Sequence, residues 1–138
     1  MKWPHTGMRT IMYAHGGKIF QGLQVMKRGN AQILMKYQNQ RGGRIVLQAI
    51  AAPCQQEWGN AHDALQAALD LEKQVNQSLL ELHGIASKHN DPHLTKLLED
   101  EFLSEQVEAI KKIGDMITRL KRAGTSGLGE FIFDKELA

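Results

Sequence analysis

The sequence has a single cysteine, no acidic residue before Glu57 and no long apolar run. Because Cys54 has no second cysteine to pair with, the fold does not depend on a disulfide or on an oxidising compartment. No segment approaches the roughly 20 apolar residues of a membrane span, and the first residues lack the apolar core of a signal peptide. We therefore expect a cytoplasmic protein without a membrane partner. The length of 138 residues suits one globular domain.

The absence of acidic residues divides the chain into two parts of different charge. The first 56 residues contain eight lysines or arginines, whereas the rest contains nine basic and fifteen acidic residues. A basic, acid-free start is typical of an organelle presequence or of an arm that binds nucleic acid. A presequence is usually rich in serine, but the first serine is Ser78, and an arm usually carries a dense run of cations, but only Lys27 and Arg28 are adjacent. We expect neither, and nucleic-acid binding is kept only as an alternative function.

Helical periodicity is the main structural signal. Residues 1–30 contain several glycines and show neither helical nor strand periodicity, so we expect irregular structure there. An extended connector is predicted for residues 44–53 because β-prone residues precede Pro53. The pattern predicts four helical segments, over residues 31–41, 60–88, 92–123 and 130–137. The Asn-Asp-Pro sequence at 90–92 allows only a short turn, so the two long helices are expected to be antiparallel.

Two polar residues stand within the apolar stripes of the long helices. Glu72 shares a seven-residue spacing with Leu65 and Leu79, and Gln106 shares one with Glu99 and Ile113. A carboxylate in an apolar seam is normally paired, protonated or bound to a metal. Two interpretations are therefore open. Either Glu72 reaches water at the edge of its stripe and Gln106 bonds to a neighbour, or both belong to a metal site of the kind that helix bundles build for iron or manganese.

Several stretches closely resemble the heavy-chain-like ferritins of animals. These stretches are residues 35–45, 71–80, 90–94 and 129–135, and the resemblance covers residues 31–138. It implies an all-α, ferritin-like four-helix bundle with a short C-terminal helix, here incomplete because the first helix and part of the second are missing. Residues 31–138 would form the ferritin-like domain and residues 1–30 an unmatched segment. Members of that family assemble into shells of 24 subunits that oxidise ferrous iron and store it as a ferric mineral.

The resemblance also assigns roles to individual residues. Glu72 and Gln106 match the third-helix carboxylate and the fourth-helix glutamine of the family's ferroxidase centre. The first-helix glutamate has no counterpart, and the family's Glu-x-x-His pair falls on Lys27 and Asn30. The resemblance therefore implies an iron-storage subunit that lacks a complete ferroxidase centre of its own.

A second set of residues matches the family's ion channel in part. His83 and Glu99 fall where channel-lining residues are expected, but Lys96 replaces the companion acid. A positive charge at a constriction opposes the passage of cations. We therefore expect impaired uptake of iron through such a channel.

The segment before residue 31 differs from the ferritin family in its lack of acidic residues and of periodicity. Both differences would have one cause if that segment were read out of frame. Residues 25–30 can be encoded so that a shifted frame reads Ser-Asp-Glu-Glu-Arg-Glu, which is the acidic tract that the family carries there. We hypothesise that the first thirty residues are partly or wholly out of frame or mispredicted.

Because a bundle without its first helix leaves apolar stripes uncovered, we expect the chain to need partner subunits. The alternative function is a non-enzymatic helical module that co-assembles with full-length ferritin or perturbs its assembly.

Overall fold

The structure is a computed structural model that describes residues 16–49, 51–52, 59–125 and 127–136. Within these ranges the chain is helical, with no β-strand, as the predicted all-α class requires. The elements in chain order are α1 (Gly16–Gln40), α2 (Ala61–Lys88), α3 (Pro92–Leu98), a π turn (Glu99–Leu103), α4 (Ser104–Ala123) and α5 (Leu128–Glu136).

The long helix α2 begins and ends close to where the sequence predicts. Asn60 caps its start, because the side-chain oxygen accepts a hydrogen bond from the Asp63 backbone N–H at 2.8 Å. After its end Asn90 takes the left-handed conformation, with a φ of 51°, and the chain reverses direction. Asp91 then caps α3 by accepting from the Leu94 backbone N–H at 3.1 Å, with Pro92 in the first turn.

The apolar core consists of two clusters, one between α2 and α4 and the other between α2, α3 and the π turn. At one end the start of α2 packs on the end of α4, and at the other end Leu79 packs on Leu98 and Phe102. This pairing of opposite ends shows that the two helices are antiparallel, as predicted. The first cluster comprises Ala61, Leu65, Ala68, Ile113, Met116, Ile117, Leu120 and, from α5, Phe133. Each fully buried Leu or Ile contributes roughly 1.5–3 kcal/mol, so these clusters hold the helix pair together.

Helix α1 differs most from the sequence prediction. It begins at Gly16, so the expected irregular structure is wrong for residues 16–30, and the helix crosses the expected domain boundary at residue 30. The remaining residues of that segment, 1–15, lie outside the described part of the chain. Leu23, Ile33 and Leu34 are half-buried against the two clusters. Frequent glycines and polar residues at inward positions concealed this periodicity in the sequence.

The backbone of α1 lies farther from the other helices than α2 and α4 lie from each other. Among its side chains that the structure describes, at positions 22–40, none is fully buried. The predicted connector, residues 44–53, is neither helix nor strand at residues 44–49 and 51–52, in agreement with the prediction, while positions 50 and 53 lie outside the described residues. Helix α1 is therefore attached to the core by half-buried contacts and by polar interactions.

The predicted continuous helix over residues 92–123 is interrupted by the π turn. Phe102 within this turn is buried, whereas Glu99 faces solvent, although the seven-residue spacing placed Glu99 in the same row as Gln106.

Large apolar side chains also remain exposed on several helices, namely Leu71, Leu80, Ile85, Val107, Leu128, Phe131 and Ile132. None of the helices in the described ranges is both long enough and apolar enough to cross a membrane.

A close approach between α4 and α5 generates a first prediction. A Cβ atom at Gly129 would overlap the carbonyl oxygen of Ala123, whereas one at Gly114 in α4 would meet no atom within 4 Å. We expect Gly129→Ala to lower the free energy of unfolding by about 1–3 kcal/mol, because α5 must shift and Phe133 with it. Gly114→Ala is the matched control and should raise it by about 0.5–1 kcal/mol. Urea denaturation checks both values, and equal effects of the two substitutions would contradict this packing.

The ion pair between α1 and the turn before α3 predicts a dependence of stability on pH. The Arg41 guanidinium, 2.8 Å from the Asp91 carboxylate, and the Leu94 N–H hold the pKa of Asp91 below its ordinary value of 3.8. A carboxyl group with a lowered pKa in the folded state stabilises the fold above its unfolded pKa, and this contribution is lost as the pH falls through the lowered value. We expect Asp91→Asn to lose this part of the acid dependence below about pH 4. Urea denaturation of the wild type and of Asp91→Asn as a function of pH measures it, and identical pH profiles of the two proteins would contradict this contribution of the ion pair.

Candidate functional site

The candidate site lies between the two apolar clusters, where α2 and α4 face each other. Glu72 is 3% exposed and Gln106 is 1% exposed, so both side chains are buried within the apolar stripes in which the sequence spacing places them. Glu72 does not reach water at the edge of its stripe, which excludes that part of the first interpretation. A carboxylate buried to this degree needs partners that satisfy its charge and its lone pairs.

Gln106 is one of those partners. Its amide Nε2 donates to the backbone carbonyl oxygen of Glu72 at 2.8 Å and also to the carboxylate Oε2 of Glu72. These two bonds fix the orientation of the amide, since the nitrogen is committed to Glu72. The amide oxygen of Gln106 is thereby turned toward α1.

Lys27 of α1 completes the cluster. Its ammonium nitrogen Nζ lies 2.6 Å from Oε2 of Glu72 and 3.0 Å from Oε1 of Gln106. The Lys27 side chain is 29% exposed, so its ammonium meets the buried carboxylate from a partly solvated position on α1. The three residues, Lys27, Glu72 and Gln106, are called the lysine cluster below.

The lysine cluster balances its own charge. One ammonium faces one carboxylate, and the neutral amide of Gln106 serves both as donor and as acceptor. An ammonium supplies N–H donors, whereas a metal ion accepts electron pairs from the same oxygens. Because Glu72 and Gln106 already direct their oxygens at Nζ, a metal ion at this position would have to displace the lysine.

Asn30 lies one turn beyond Lys27 and does not join the lysine cluster. Its amide Nδ2 donates to Oε2 of Glu105 at 3.3 Å in an exposed contact. In the part of the chain that the structure describes, no three side chains of His, Cys, Asp or Glu come together in a way that could hold a metal ion.

The second set of predicted residues forms polar side-chain pairs on the surface. Nε2 of His83 lies 2.6 Å from Oε1 of Glu99, so these two residues are brought together. Nζ of Lys96 lies 2.6 Å from Oδ2 of Asp100, and this hydrogen bond raises the pKa of Lys96. The Lys96 charge is therefore balanced by Asp100, one helical turn further along the chain. That His83 and Glu99 line a channel stays a prediction.

Comparisons with known proteins agree on one family. The family model for the ferritin-like domain matches residues 11–123, which begins before residue 31, where the resemblance was expected to start. The chain is 72% identical over 120 residues to a protein named ferritin from Pacifastacus leniusculus, covering 87% of this chain and 66% of that protein.

Two further relatives extend the comparison to a mollusc and an amphibian. The chain is 56% identical over 119 residues to the soma ferritin of Lymnaea stagnalis, covering 86% of this chain and 68% of that protein. It is 58% identical over 111 residues to the middle subunit ferritin of Aquarana catesbeiana, and the match covers 79% of this chain and 63% of that protein. The chain thus spans about two thirds of the length of the curated relatives it matches.

The charge balance of the lysine cluster generates a prediction about stability. Lys27→Met would leave the Glu72 carboxylate buried without its cation, and we expect the free energy of unfolding to fall by about 1–3 kcal/mol after allowance for the partial exposure of Lys27. The double variant Lys27→Met with Glu72→Gln should recover most of this loss, because both charges are then absent.

Urea denaturation of the four members of this double-mutant cycle measures the coupling between the two residues. Lys96→Met, which removes a cation from a surface ion pair, is the matched control and should have little effect. Additive effects of the Lys27 and Glu72 substitutions would contradict the pairing.

Proposed function

The chain belongs to the ferritin family, and from this premise we propose that it is an iron-storage subunit that does not oxidise iron at a site of its own. The observation that carries the proposal is the position of the Lys27 ammonium, within hydrogen-bonding distance of both Glu72 and Gln106. These are the two residues that resemble members of the family's ferroxidase centre. In this chain their oxygens bind a lysine.

Electrostatics disfavours ferrous iron at the lysine cluster. Two unit charges of like sign 4 Å apart repel by about 4 kcal/mol at an effective dielectric constant of 20, and a ferrous ion carries twice the unit charge. A ferrous ion on the Glu72 carboxylate would lie about this far from Nζ unless Lys27 moved away. Leaving the cluster would cost Lys27 its pairing with Glu72 and its hydrogen bond to Gln106. We therefore infer weak binding of iron and slow oxidation.

Storage without a complete ferroxidase centre requires other subunits, and we propose that the chain assembles with other ferritin subunits in the cytoplasm. Apolar side chains exposed on α2, α4 and α5 support a need for partners, since exposed apolar surface is typical of contact regions. Matches to ferritins along most of the chain do not favour the alternative of a module that perturbs assembly.

The surface ion pairs support a secondary proposal about iron uptake. The cation of Lys96 is balanced by Asp100, and His83 is paired with Glu99, so neither pair adds a free carboxylate to this surface. We propose that His83 and Glu99 line a channel that attracts ferrous iron weakly.

An anaerobic titration with ferrous iron, followed by exposure to oxygen, tests the proposed function. We expect weak binding without a saturable step and slow oxidation, because the lysine cluster is already occupied. Lys27→Gln removes the cation and should strengthen binding by at least tenfold, which corresponds to about 1.4 kcal/mol. Lys36→Gln, at an exposed position of the same helix, is the matched control and should leave binding unchanged.

Fast, saturable oxidation by the unaltered chain would contradict the proposal. Circular dichroism before each titration verifies that the variants remain helical. Assembly is tested separately by size-exclusion chromatography after co-expression with a full-length ferritin and loading with iron. Large mixed particles that retain iron are expected, and small particles without iron would favour the interference alternative.

A further inference from the structure

The π turn at Glu99–Leu103 begins at Glu99, which pairs with His83 on the surface. It ends three residues before Gln106, whose amide is buried. A π turn holds one more residue per hydrogen-bonded loop than an α-helix, since its bonds run from residue i to i+5. The side chains that follow it are therefore displaced around the helix axis relative to an uninterrupted α-helix.

Helix geometry gives the size of this displacement. An α-helix turns by about 100° per residue, so the seven residues from Glu99 to Gln106 would turn by about 700° and leave both side chains on one face. With one residue absorbed by the wide turn, the rotation is about 600°, and the two side chains point about 120° apart. The observed exposures agree, since the Glu99 side chain is 57% exposed and Gln106 is 1% exposed.

The same geometry aligns the apolar stripe of α3 with that of α4. The eight residues from Leu98 to Gln106 would leave the two side chains about 80° apart in an uninterrupted α-helix, but only about 20° apart with one residue absorbed. Leu98 is 0% exposed, so both residues do face the core. One extra residue thus brings Leu98 and Gln106 onto the same face and removes Glu99 from it.

We propose that the π turn is the element that assigns Glu99 to the surface pair and Gln106 to the lysine cluster, and that Ser104 is its positioning residue. The Ser104 hydroxyl donates to the backbone carbonyl oxygen of Glu99 at 3.3 Å, five residues earlier, and so spans the wide turn. This inference concerns the placement of the two polar groups and does not depend on whether the chain stores iron.

The first test removes the extra residue. Two single-cysteine variants, made in a Cys54→Ser background, carry either Leu98→Cys or Glu99→Cys. The rate at which a thiol reagent labels each cysteine reports which side of α3 faces solvent. We expect the cysteine at position 99 to react at least tenfold faster than the cysteine at position 98. Deletion of Glu101 should abolish or reverse this ratio of labelling rates, because α4 keeps its core contacts while α3 turns by about 100°. Glu101→Ala, which preserves the number of residues, is the matched control and should keep the ratio.

An unchanged labelling ratio after deletion of Glu101, with helicity retained, would overturn the proposal. If the deletion variant does not fold, hydrogen exchange of Ser104 variants tests whether Ser104 positions the π turn. Ser104→Ala should raise the exchange of amides within residues 99–106 by about three- to tenfold, and Ser104→Thr, which keeps a hydroxyl, should restore protection. Equal exchange in the wild type and in both variants would show that Ser104 does not position the turn.

Discussion

The ammonium of Lys27, held 2.6 Å from the Glu72 carboxylate and 3.0 Å from the Gln106 amide oxygen, links α1 to the buried polar residues between α2 and α4. It satisfies a carboxylate that would otherwise be buried without a counter-charge between two apolar clusters. It also joins three helices at one point, since the three residues belong to α1, α2 and α4. The contact engages the two residues to which the sequence resemblance assigns a role in iron binding.

Helix α1 shows why a polar contact can have this importance. Its described side chains are half-buried or exposed, and its backbone lies apart from the other helices, so it lacks the close apolar contact that joins α2 to α4. Lys27 in its middle and Arg41 at its end, paired with Asp91, add directional contacts to the half-buried leucines and isoleucine. The attachment of α1 and the chemistry of the site therefore rest on the same lysine.

The sequence predicted the parts of the fold that follow from local chemistry. Helix α2, the reversal after residue 88 and the placement of Glu72 and Gln106 within apolar stripes follow from residue spacing and from the turn preferences of Asn90, Asp91 and Pro92. The start of α1 was missed because glycines and a lysine at an inward position disguise its periodicity. The pairing of Lys27 with Glu72 joins residues far apart in sequence, so no local pattern could predict it. The π turn was missed because one absorbed residue leaves no mark on a seven-residue spacing.

The most direct measurement is an anomalous-scattering map of crystals of this chain soaked anaerobically in ferrous iron. We expect no anomalous peak between Glu72 and Gln106, with Nζ of Lys27 still in hydrogen-bonding contact with both side chains. An iron peak at that position, with Lys27 turned toward solvent, would contradict the central claim that a lysine takes the place of the metal.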